Sequence, residues 1–78
     1  MGAYAELMQI LDDTKDRRQP FTARISTSTN PDWPDMVMQI YAGDRLVAAA
    51  PFYAGRHDEA AEDCARQVMV ELKDFPET

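Results

Sequence analysis

The chain has one cysteine and one histidine in 78 residues. Cys64 can close no internal disulfide, and a single thiol with a single imidazole falls short of the ligand set a zinc site requires. No metal and no cofactor is therefore expected. Glycine is scarce, with three residues, and none belongs to a loop of the kind that cradles phosphate. Cations are outnumbered, 8 against 14 anions, for a formal charge of −6, and such a surface repels phosphate and anionic membranes. Long apolar runs are missing too. The longest useful one, Leu46 to Ala50, is far below the roughly 20 residues of a transmembrane helix. Met1 to Leu11 carries Glu6 and lacks the basic start of a secretory signal. These absences predict a soluble, cytoplasmic protein that does not engage membranes. Catalytic patterns are lacking as well: there is no Ser/His/Asp set, and acidic pairs such as Asp12–Asp13 sit in an exposed polar stretch without the burial catalysis needs. The residues point away from an enzyme.

What is present is ordinary for a small globular chain, with 45% hydrophobic and 28% charged residues. A chain this short makes one domain and buries only about 60% of its unfolded surface. Tyr4, Leu7, Met8, Ile10 and Leu11 recur at helical spacing, which predicts a first helix over 3–16, closed before Pro20. Phe21 to Thr29 alternates Phe21, Ala23 and Ile25 against Thr22, Arg24 and Ser26, a half-buried strand. Asn30 to Asp35 holds two prolines and reads as a turn. Met36, Met38, Ile40 and Ala42 form a second strand, Gly43-Asp44 a hairpin turn, and Arg45 onward a third strand that Pro51 weakens. Asp58, Glu59, Glu62 and Asp63 then load the start of a second helix, over 58–73, with charge that suits its dipole. Its apolar face comprises Ala60, Ala61, Cys64, Ala65, Val68, Met69 and Leu72. The expected architecture is α+β: an α-β-β-β-α chain with a three-stranded antiparallel sheet and both helices packed on one face. Leu7, Ile10, Leu11, Ile25, Ile40, Ala61, Cys64, Val68 and Leu72 are its expected core.

Ala5-Glu6-Leu7-Met8-Gln9, the Asn30-Pro31 turn, Met36 to Ile40, Gly43-Asp44 and the alanine-rich run through Ala61 and Ala65 occur here in register. In that order they resemble the double-stranded-RNA-binding domain over nearly the whole chain. The resemblance implies RNA contacts from the first helix, from the turn at Asn30, and from lysines at the start of the second helix that meet phosphates. At those lysine positions this sequence has Asp58, Glu59 and Glu62. The strongest contact region is thus inverted in charge, and the resemblance implies the scaffold without useful RNA binding.

Candidate interaction residues follow from the same layout. Trp33, stiffened by Pro31 and Pro34, is either an exposed hot spot or a lid over the sheet edge. Tyr41, Val47, Ala49 and Tyr53 are expected to point outward together, making the uncovered sheet face apolar and fit for a partner or a homodimer. Asp58, Glu59, Glu62 and Asp63 are either a face for a basic partner or a solvated helix start. His57 is expected as a loop residue or helix cap, and Cys64 as a packed thiol. The function these features fit is a non-catalytic protein-interaction module, such as a small phage-encoded inhibitor or bacterial adaptor. The alternatives are weak RNA binding through the first helix and the Trp33 turn, or an acidic nucleic-acid mimic seated in a basic groove.

Overall fold

A computed structural model of the chain describes residues 2–74 and has the order α-β-β-β-α. Helix α1 spans Ala3–Asp12, strands β1, β2 and β3 span Phe21–Thr27, Met36–Ala42 and Arg45–Phe52, and helix α2 spans His57–Asp74. The strands form one antiparallel meander in the order β1-β2-β3. Gly43 in the β2–β3 turn has φ 63°, a left-handed conformation that any side chain would strain. The expected class and layout are those observed.

The first helix is shorter than its apolar stripe suggested, ending at Asp12 rather than near Asp16. Thr14 explains the stop. Its hydroxyl donates to the Leu11 carbonyl at 2.6 Å and accepts the Phe21 N–H at 2.9 Å, so a buried polar group ties the end of α1 to the first residue of β1. Backbone bonds from Thr14 to Leu11, Lys15 to Asp12 and Arg17 to Thr14 then continue as tight turns instead of helix. The first strand ends at Thr27, two residues short of the expected limit; the Ser28 N–H still donates to the Asp35 carbonyl in the same register, and the chain turns after it.

Both helices lie on one face of the sheet, and one core joins them. Leu7 and Leu11 come from α1; Ala60, Ala61, Cys64 and Val68 come from α2. The sheet contributes Phe21, Met38, Ile40, Ala42, Ala48, Ala50 and Phe52, the alternate residues of each strand. Ile10, Ile25 and Leu72 are half-buried at its margin. Helix α2 covers β3 and β2 while α1 leans mainly on α2, which leaves Ala23 in β1 exposed although its phase is inward. Met69 departs from the expected face and is 55% exposed, since it lies about 100° further round the helix than Val68.

In β3, Pro51 lacks an N–H to offer, and the Gln67 side chain of α2 donates to the Ala49 carbonyl at 3.4 Å, which removes two groups that a further strand would pair with. The molecule measures 42 × 28 × 17 Å, a slab one helix layer and one sheet layer thick. The second sheet face therefore meets solvent.

Candidate partner-binding site

The loop between β1 and β2 is built from its own polar side chains. Ser28 Oγ accepts the Asn30 N–H at 3.3 Å, and Asn30 Oδ1 accepts the Asp32 N–H at 3.0 Å. The Asn30 carbonyl takes the Trp33 N–H at 3.1 Å, and Ser28 and Asp35 close the loop backbone to backbone at 2.9 Å. With prolines at 31 and 34, few backbone freedoms remain. Trp33 is held out from this brace, 51% exposed.

Tyr53 follows directly on β3, whose last residue, Phe52, pairs with Met36 at the start of β2. That pairing sets Tyr53 beside the loop. Tyr53 is 66% exposed, and with Trp33 it lines one shallow groove of about 560 Å³ whose other walls are Ser28, Thr29, Asn30, Pro31, Asp35 and Ala54. Two residues expected separately, on a turn and on a sheet face, thus share a single surface.

The remaining outward set is altered by a β-bulge. Ile40 pairs with Ala48 but Tyr41 pairs with Leu46, so Val47 has no partner across the ladder. Strict alternation fails at that point. Leu46 is exposed beside Tyr41, whereas Val47 is half-buried and packs against the core, a correction to its expected outward place. Tyr41 does stand on the open face, with the Arg24 guanidinium 5.4 Å from its ring centre. Ala49 is exposed as expected. That face also carries Thr22, Arg24, Ser26 and Gln39, the Ser26 hydroxyl donating to Gln39 Oε1 at 3.4 Å. It is a mixed surface, not the apolar one expected.

The acids of α2 divide into separate tasks. Asp58 accepts the Tyr4 N–H of α1 at 3.0 Å. At the N-cap of α1 stands Gly2, which has no side chain for that work, so a carboxylate from the other helix supplies it. A Cβ on Gly2 would come within 2.6 Å of Asp58 Oδ2, which is why glycine fits there. Glu59 pairs with Arg56 at 3.2 Å, Asp63 pairs with Arg66, and Glu62 is exposed. All four acids remain exposed, two of them matched by a neighbouring arginine. His57 is neither loop nor cap: it is half-buried in the first turn of α2, its ring 4.8 Å from that of Phe52 and 6.0 Å edge-on from Tyr4. At the far end, Glu71 of α2 forms an ion pair with Arg45 of β3.

Cys64 is fully buried, its thiol directed at the Met38 carbonyl at 3.8 Å. Burial pushes the thiol up to about 11, and the neighbouring Asp63 carboxylate adds to the rise, so the free thiol stays protonated at neutral pH. Among the described residues no three His, Cys, Asp or Glu side chains could hold a metal ion, and no helix is long and apolar enough to cross a membrane. Chemically the molecule offers aromatic, hydroxyl and carboxylate groups at one end of a rigid sheet. Comparison with protein families, with characterised proteins and with solved structures finds no match, so the α-β-β-β-α order stands as an architecture and not as a family.

Proposed function

We propose that this protein is a non-catalytic protein-interaction module on a scaffold similar to the double-stranded-RNA-binding domain, and that it docks its partner at the Trp33–Tyr53 groove. The observation that carries this reading is the convergence of two large, exposed aromatic side chains on one groove beside a braced loop. Aromatic side chains set on stiff backbone lose little entropy on binding, and tryptophan and tyrosine dominate interface hot spots. The two groups with most reactive potential are otherwise engaged: Cys64 lies in the core and His57 packs on two rings. Small size and a charge of −6 suit an inhibitor or adaptor, phage-encoded or bacterial. The reading as a nucleic-acid mimic is weakened by Asp58, which serves α1, and by Glu59 and Asp63, which pair within their own helix or its start.

The test is affinity capture from source cells with the tagged full chain and with Trp33→Ala and Tyr53→Ala variants, folding being checked by circular dichroism. Partner capture should fall at least about tenfold in either variant, the loss typical of a hot spot. A partner retained by both well-folded variants would overturn the assignment of the groove.

A further inference from the structure

Building on that reading, we infer that the groove takes a cationic stretch of the partner, an extended segment whose arginine or lysine side chain lies against the Trp33 and Tyr53 rings with Asp35 as counter-charge. The groove is the size that holds a small ligand, about 560 Å³, and it is open, so it fits a few residues of an extended chain rather than a folded surface. Its chemistry selects the sign of the charge. Indole and phenol ring faces attract cations, most strongly guanidinium over tryptophan. This chain makes such contacts within itself, with Arg17 at 5.8 Å over Phe21 and Arg24 at 5.4 Å over Tyr41. Among the described residues no cation stands over Trp33 or Tyr53, the two aromatics that share the groove.

The charged side chain lining the groove is a carboxylate, Asp35, and Asp32 precedes Trp33 on the same loop. Among the described residues Asp35 has no ion-pair partner. Arg56, three residues beyond Tyr53, pairs with Glu59 at 3.2 Å and so does not serve it. A net charge of −6 steers cations toward the molecule and phosphate away from it. Ser28 and Thr29 add hydroxyls along one wall, where the backbone of an extended segment finds hydrogen-bond partners.

Trp33 is the one tryptophan of the chain, so its emission reports occupancy without a label. The full chain is titrated with peptides of about nine residues centred on arginine, with a citrulline counterpart of the same shape and no charge, and with a neutral proline-rich peptide. The expected result is a saturable change in Trp33 emission in which arginine binds at least about tenfold tighter than citrulline. Asp35→Asn should weaken the arginine peptide about tenfold, whereas Asp16→Asn, the same charge change beyond the other end of β1, should leave it within roughly twofold. Equal binding of arginine and citrulline, tighter binding of the proline-rich peptide, or equal effects of the two Asp variants would overturn the cationic assignment. The capture experiment separates the two levels. A natural partner lost on Trp33→Ala, with no arginine preference, leaves the groove assignment standing and rejects only the cation.

Discussion

Cys64 and Val68 sit at zero exposure on the same stripe of α2, and each makes a residue-scale expectation that can be checked. Val68→Ala removes two methyl groups from a packed site and should cost about 2–3 kcal/mol in chemical unfolding. A loss under roughly half a kcal/mol would mean that the core closes without it. Cys64 yields a pH dependence. Its thiol ionises near 9.0 in the unfolded chain but only near 11 in the folded one, so below pH 9 it is neutral in both states and its contribution is fully present. As pH rises from 9 through 11 the unfolded chain loses that proton first, and stability should fall by on the order of 2 kcal/mol. Cys64→Ala should lack this alkaline decrement, which separates it from tyrosine and lysine titration in the same range. Cys64 in the core was legible from its place in the stripe. The second task of Asp58 was not, since its partner lies 54 residues away and no local spacing encodes it.

Elements were legible where a residue's environment is set by its neighbours in sequence. Strand β2 and the Gly43-Asp44 hairpin follow from the apolar alternation of Met38, Ile40 and Ala42 and from the glycine's tolerance of positive φ, although Val37, of outward phase, is buried as well. The limits of α1 and the phase of β3 did not follow, for different reasons. A β-bulge arises from pairing between strands, so Val47 could not be placed from β3 alone. The end of α1 depends on one hydroxyl that serves two backbone groups, Leu11 and Phe21. Thr14→Val keeps the shape of that side chain while leaving the Phe21 N–H buried without its acceptor. It should destabilise the chain by about 1–3 kcal/mol, whereas Thr14→Ser should recover most of the loss. Equal stability of the Val and Ser variants would show that packing, and not the hydroxyl, joins α1 to the sheet.

For the molecule as a whole, charge decides more than topology does. The observed order is α-β-β-β-α, and the start of α2, where the resemblance implies lysines, carries Asp58, Glu59 and Glu62. Duplex RNA binding draws much of its strength from cations on phosphate, so a duplex of about 20 base pairs should show no mobility shift at micromolar protein in about 150 mM salt. Micromolar binding there would reverse the conclusion. Glu59→Lys with Glu62→Lys is the informative gain-of-charge pair, because Asp58 must remain to cap α1. Of the candidate site, Trp33 was legible as a residue stiffened between prolines, but its 51% exposure was not, since a lid over the sheet edge fits the same sequence. Its union with Tyr53 was not, because only the Met36–Phe52 pairing brings the two segments side by side.

The carboxylate that Asp58 lends to α1 also fixes an order of events during synthesis. A helix of 10 residues is marginal alone in water, and this one lacks a capping side chain of its own. While the chain is still emerging from the ribosome, α1 has neither its cap nor the helix it leans on until α2 has been made. Of the five elements, the one translated before the others should thus be the last to become permanent. Arrested chains ending before residue 57 should leave α1 open to protease, and full-length chains should protect it.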